Sequence, residues 1–213
     1  MNTETIIARK LLQINAIKLN PQNPFTWASG MRSPIYCDNR ISLSYPEVRT
    51  EIKKAMADAS KMFGTIDMVA GVATAGIAHG ALVADYLNVP FCYVRSTPKG
   101  HGRQNQIEGE IQKGSKILVI EDLISTGGSS IEVVEILRNE GHEVSGVLAI
   151  FDYGFEKAKE NFRNCGCKFI SLSNYSALIN EARATNYISE AEEKVLSFWN
   201  NDPQNWYTNH FES

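Results

Sequence analysis

The chain has 213 residues, of which 43% are hydrophobic and 21% charged, with a formal net charge of −3. That length suits one large α/β domain or one domain with a small accessory layer. The slightly acidic balance argues against a broad nucleic-acid-binding surface, and the sequence contains no apolar run of about 18 residues that would suit a membrane span.

Met1-Asn2-Thr3-Glu4-Thr5 has neither the basic segment nor the apolar stretch of a signal peptide, so a cytoplasmic protein is expected. Cys37 and Cys92 are isolated among apolar neighbours, and Cys165-Gly166-Cys167 is too tightly spaced for a zinc or thioredoxin-type pair. All four are expected to be reduced thiols, and no residue is assigned as a metal ligand.

Residues 4–14 are apolar at helical spacing and predict an opening helix. Residues 20–46 carry four of the seven prolines, with Ser29-Gly30 and Ser33-Pro34 as turn signals, and predict loop with short strands. A helix should start at Pro46, since proline suits the first helical position, and run to about Met62. Residues 67–72, 91–94, 116–120 and 144–150 are short, apolar and largely β-branched, as strands buried on both faces are. Helical patterns fill 76–87 and 129–140 between them. This alternation predicts an α/β fold with a parallel, doubly wound sheet, whose ligand sites lie beyond the carboxyl ends of the strands. After residue 170 the chain reads as polar and helical, ending in an aromatic tail. The expected organisation is a single domain over 1–213, with an N-terminal segment to about 45, a core sheet over about 65–170 and a helical part over 171–213. Trp27, Trp199 and Trp206 read as packing or interface residues, and His79, His142 and His210 as structural.

The chemistry concentrates after the strand Ile117–Ile120, which runs into Glu121 and Asp122. Two acids are unfavourable inside an apolar sheet, so both should emerge at its carboxyl end. Ser125, Thr126, Gly127, Gly128, Ser129 and Ser130 follow, then a helix with Ile131, Val134 and Leu137 on one face. Consecutive glycines let several N–H groups converge, and a helix N-terminus adds partial positive charge, which together make a phosphate cradle. The two carboxylates suit sugar hydroxyls, which are donors, or a nearby divalent ion. Ser129 or Ser130 could also simply cap the helix. No Walker A loop or dinucleotide fingerprint is present: Gly71-Val72-Ala73-Thr74-Ala75-Gly76 has the glycine spacing of the former without its lysine and hydroxyl.

Residues 119–130, Val-Ile-Glu-Asp-Leu-Ile-Ser-Thr-Gly-Gly-Ser-Ser, closely resemble the signature of type I phosphoribosyltransferases. The resemblance implies that Glu121 and Asp122 bind the ribose hydroxyls of phosphoribosyl pyrophosphate, and that the segment Leu123, Ile124, Ser125, Thr126, Gly127, Gly128 and Ser129 wraps its 5-phosphate. It also implies a small hood over the sheet, formed from the N-terminal segment. Three further segments narrow the likeness. Residues 25–38, Phe-Thr-Trp-Ala-Ser-Gly-Met-Arg-Ser-Pro-Ile-Tyr-Cys-Asp, resemble the base-recognition segment of orotate phosphoribosyltransferases. Residues 94–102 resemble that family's catalytic loop, and residues 71–77 its pyrophosphate-side loop.

From Arg95 to Gly109 the chain is poor in apolar residues and carries Arg95, Lys99, His101 and Arg103. Such a segment cannot offset its own ordering entropy and should close only on an anionic ligand. The resemblance therefore implies transfer of ribose 5-phosphate to orotate, giving orotidine 5′-monophosphate and pyrophosphate in pyrimidine biosynthesis. Lys99, His101 and Asp122 would be catalytic, with Arg95 beside the pyrophosphate, Ser125 reaching the orotate side, and Mg²⁺ as cofactor. It also implies a homodimer with shared sites. The chain departs from many members in carrying Ala28, Ala75, Tyr153 and Ser96 where cationic residues are common. The alternatives are a phosphoribosyltransferase for another base, a non-catalytic regulator of the same fold, and a metabolite-binding module.

Overall fold

The computed structural model describes residues 2–95 and 106–211. Helix α1 (Thr3–Gln13) starts where the Asn2 side chain accepts the Thr5 N–H at 3.0 Å, and it buries Ile7, Ala8, Leu11 and Leu12. Two small antiparallel ribbons follow. Strand β1 (Ile17–Leu19) pairs with β4 (Ile35–Cys37), and between them β2 (Phe25–Thr26) pairs with β3 (Arg32–Ser33). A 3₁₀ turn over Asn39–Ser44 leads to α2 (Pro46–Ser60), with its proline in the first turn as expected.

The remainder alternates: β5 (Met68–Val72), α3 (Ala75–Leu87), β6 (Phe91–Val94), β7 (Ile107–Glu108), β8 (Lys116–Ile124), α4 (Gly128–Asn139), β9 (Glu143–Asp152), α5 (Glu156–Asn164) and β10 (Phe169–Asn174). Helices α6 (Tyr175–Ala184), α7 (Glu190–Asn201) and α8 (Trp206–Phe211) complete the chain. The six-stranded sheet has the order β10-β9-β8-β5-β6-β7. Its pairs are parallel, as expected, except the outermost, where β7 runs antiparallel to β6. Among the described residues, no helix is long and apolar enough to cross a membrane.

Strand β8 is central and shows why the sheet is wound on both faces. Leu118 and Ile120 pack into one buried cluster with α1, α2 and the C-terminal helices, whereas Ile117 and Val119 pack into another with Val133, Val134 and Leu137 of α4. Period-two alternation thus assigns each side chain to one layer. Each such aliphatic group removed from water contributes roughly 1.5–3 kcal/mol.

Three expectations are corrected. Strand β8 does not stop at Ile120 but continues to Ile124, so Glu121 and Asp122 lie within it rather than beyond it. The region after 170 is not all helical, because Phe169–Asn174 forms the edge strand β10 beside β9. Helix α5, with five charged residues among its nine, was not anticipated; it buries Ala158 and Phe162.

Candidate active site

All the parallel strands end on one edge of the sheet, and the site is built there. From β8 the chain passes through Ser125 and Thr126 to Gly127, whose backbone is left-handed (φ 81°) and which forms the N-terminal boundary of α4. Gly128 and Ser129 begin that helix, and its N-cap has no side-chain hydrogen bond, so its first N–H groups are offered to an anion. A β-carbon at Gly127 would stand 2.6 Å from Phe162 Cε2, and Asn161 Nδ2 donates to the Thr126 carbonyl at 2.9 Å. Helix α5 therefore props the turn from behind. Ile124 is 1% exposed, and its carbonyl accepts the Tyr153 N–H at 3.1 Å, so it anchors the turn to the end of β9.

The acid pair is buried unequally. Glu121 is 6% exposed; its Oε2 accepts the Ser130 hydroxyl at 3.0 Å and its Oε1 accepts the Asp122 N–H at 3.0 Å. Asp122 is half-buried, and its carbonyl accepts Asn39 Nδ2 at 2.7 Å. Burial raises both carboxyl pKa values. The charge of Asp122 pushes Glu121 further up, while the Glu121 hydrogen bond and the Arg40 guanidinium draw Asp122 back down.

The hood supplies partners that the sequence did not single out. Arg40 Nε and Nη2 clasp Asp38 at 2.7 and 2.8 Å, which holds the Asp38 carboxyl below its usual range. Asn39 is fully buried, and the His79 imidazole, 2% exposed on α3, hydrogen-bonds to its backbone. Burial lowers the His79 pKa to about 4, so at neutral pH it is an uncharged support for Asn39. The run Asp38-Asn39-Arg40 directly after a strand was the available signal.

Helix α3 lies almost directly on the sheet. A β-carbon at Gly76 would come within 2.5 Å of the Ile120 carbonyl oxygen, and one at Gly71 within 2.7 Å of that of Gly76. The loop 71–76, which contains a cis Ala73–Thr74 peptide bond, is thereby brought beside the acid pair. Arg95 sits at the end of β6, two strands from β8, with its N–H donated to the Gln106 carbonyl at 2.9 Å and its guanidinium 5.5 Å from the Tyr93 ring centre. Lys99 and His101 lie outside the described residues.

Beyond the turn after β8 opens a cavity of about 970 Å³. Its walls include hood residues 26–32 with Tyr36 and Cys37, the sheet residues Leu123, Ser125, Thr126 and Tyr153, and Gln204, Tyr207 and Thr208 from the C-terminal part. Tyr153 packs 5.2 Å from Trp27, 5.4 Å from Phe155 and 5.8 Å from Trp199. The three tryptophans do pack as anticipated: Trp199 and Trp206 are buried, and Trp27 Nε1 donates to the Ile35 carbonyl at 2.9 Å, pinning the hood ribbons together.

Residues 43–177 match the Phosphoribosyl transferase domain family. Over 206 residues the chain is 52% identical to an orotate phosphoribosyltransferase of Bacteroides thetaiotaomicron, covering 96% of this chain and 97% of that one. The chain belongs to the orotate phosphoribosyltransferase family. Solved structures agree with this family assignment. An orotate phosphoribosyltransferase from Aeropyrum pernix superposes with a TM-score of 0.74 at 28% identity, covering 86% of this chain and 99% of the other. Leishmania donovani UMP synthase superposes at 0.80 and 27% identity over 93% of this chain, which corresponds to 42% of that longer one.

Proposed function

We propose that this chain transfers ribose 5-phosphate from phosphoribosyl pyrophosphate to orotate in the cleft between β8, α4 and the hood, releasing pyrophosphate and orotidine 5′-monophosphate. The observation that carries this reading is the continuity of the two subsites. Ser125 and Thr126 belong both to the phosphate turn and to the wall of the 970 Å³ cavity, so a ribose held by the turn presents its anomeric carbon towards a base in the cavity.

The residues divide the work. The N–H groups of Gly127, Gly128 and Ser129, with the Thr126 hydroxyl, hold the 5-phosphate. Asp122 accepts from the ribose hydroxyls, while Glu121, tied to Ser130 and to the Asp122 backbone, orients it. Ser125 faces the base. As the bond to pyrophosphate breaks, positive charge builds on the ribose, and the buried acids beside it stabilise that charge without reorganising. Arg95, Lys99 and His101 neutralise the departing pyrophosphate.

The residues fit Mg²⁺. Among the described residues there is no cluster of three metal-ligating side chains, yet two carboxyls whose pKa values burial has raised stand side by side. Asp122, with Glu121 beside it, would hold such an ion. When bound, the ion supplies charge neutralisation of pyrophosphate. The reading includes a cytoplasmic homodimer whose 95–109 segments serve neighbouring sites, and treats the chain as a single domain.

The test is spectrophotometric. Orotate absorbance should fall on addition of phosphoribosyl pyrophosphate and Mg²⁺, with hypoxanthine, adenine and uracil as control bases. Consumption of a control base in preference to orotate would replace this reading with transfer to that base.

A further inference from the structure

The proposed base is an anion, and the cavity offered to it is lined mainly by apolar and uncharged polar groups. A carboxylate moved from water into such a place needs a cation, because an unpaired buried charge is strongly unfavourable. Arg32 is the one charged side chain among the described cavity-lining residues. Its backbone is fixed in β3 opposite Thr26. Its Nη2 makes a single long contact, 3.4 Å to the Pro24 carbonyl, and its Nε is buried without a hydrogen-bond partner among the described residues.

The guanidinium is also held against an aromatic ring. Its carbon lies 4.6 Å from the ring centre of Tyr207, which lines the same cavity from helix α8. Trp206 is 3% exposed and secures that helix, and Phe211 stacks on Tyr207 at 5.0 Å. The α8 segment thus brings an aromatic face to a cation at the opposite end of the chain, and an arginine packed against a ring keeps its in-plane N–H fork available for a carboxylate.

We propose that Arg32, held against Tyr207, recognises the carboxylate of the base, and that the 204–208 segment forms the outer wall of the base subsite. Arg32 is a binding residue in this account and Tyr207 a positioning residue. The inference rests on the proposed transfer to orotate, and the experiment separates the two.

The Michaelis constants for orotate and for phosphoribosyl pyrophosphate are measured independently in the full chain, together with the inhibition constant of uracil, which lacks the carboxylate. Arg32→Gln should raise the orotate constant by about tenfold to a hundredfold, the range expected for loss of a charged hydrogen-bond pair. The constant for phosphoribosyl pyrophosphate and the uracil inhibition constant should stay within about twofold. Arg32→Lys should recover part of the affinity. Tyr207→Ala should raise the orotate constant by less than Arg32→Gln does, and Tyr207→Phe, which keeps the ring, should retain more affinity than Tyr207→Ala. Thermal melting of each variant identifies any that fail to fold, and Arg32→Lys then carries the test in place of Arg32→Gln. An orotate constant unchanged in Arg32→Gln, or one that rises in step with that for phosphoribosyl pyrophosphate, overturns the assignment of Arg32. A wild-type chain that does not consume orotate overturns the proposed function itself, and this inference with it.

Discussion

Ser130, in the first turn of α4, donates its hydroxyl to the Glu121 carboxylate at 3.0 Å, which ties that helix to the strand that carries the acid pair. Glu121 is costly to keep ionised there, because burial and the Asp122 charge raise its pKa well above the ordinary 4.5. A carboxyl whose folded pKa exceeds its unfolded value lowers stability as pH rises from 4.5 towards the folded value. Glu121→Gln removes that loss while keeping both contacts, since the amide oxygen can accept from Asp122 N–H and the amide nitrogen can donate to the Ser130 hydroxyl. The variant should therefore melt higher than wild type at pH 8, with the advantage shrinking at pH 5, while catalytic efficiency falls by about tenfold to a hundredfold. Melting curves at the two pH values, with turnover at pH 8, check both parts.

His79 should act in the opposite sense. Its folded pKa of about 4 lies below the ordinary 6.5, so below pH 6.5 the unfolded chain takes up a proton that the folded chain refuses. The stabilisation is complete above pH 6.5 and is lost as pH falls towards 4, by up to about 3 kcal/mol from this group. Urea unfolding at intervals from pH 7.5 to 4.5 should show this slope, and His79→Gln should flatten it. An equal slope in wild type and variant would remove His79 from the account.

Lys99→Ala should cost about a hundredfold or more in turnover, the size associated with removing one group that stabilises developing charge. The melting temperature should hardly change, because the segment from 95 to 109 contributes few apolar side chains. Single-turnover measurements distinguish a slowed chemical step from slowed product release.

Gly127→Ala meets two obstacles, the left-handed backbone at φ 81° and the Phe162 ring at 2.6 Å. Together they should destabilise the fold by about 1–3 kcal/mol and raise the Michaelis constant for phosphoribosyl pyrophosphate more than that for orotate. Gly127→Ala combined with Phe162→Leu relieves the ring contact but not the backbone strain. The double variant should still bind phosphoribosyl pyrophosphate weakly, as steady-state kinetics would reveal.

The strand and helix pattern from 67 to 150 was legible because each buried strand is a short apolar run and each intervening helix keeps an amphipathic period. What escaped has physical causes. Strand β8 runs four residues past its apolar stretch because β9 continues beside it, pairing Glu121 with Ala149 and Ile124 with Asp152, so sheet pairing carries polar residues that propensity would end on. Strand β10, Phe-Ile-Ser-Leu-Ser-Asn, lies at the sheet edge with only Leu172 and Ser173 buried, and two serines dilute its pattern. In the site, the turn after β8 announced itself through glycines and acids gathered in one short stretch. His79 and Tyr207 did not, because their contacts with Asn39 and Arg32 form only when segments distant in sequence meet.

The packing of α3 on the sheet has a consequence for how this cleft can change. Where Gly76 and Gly80 of α3 meet the sheet strands and Gly71 of β5, a single added methyl group would collide with backbone oxygen atoms or the Phe91 ring, so that contact is fixed by the lack of side chains. The cavity wall formed by residues 26–32 with Gln204, Tyr207 and Thr208 is instead made of side chains on short ribbons and the C-terminal part. Variation that alters which base is accepted therefore has room in that wall and not at the α3 contact, and laboratory selection for new bases is best aimed at the hood and α8 while the glycines of α3 are left untouched.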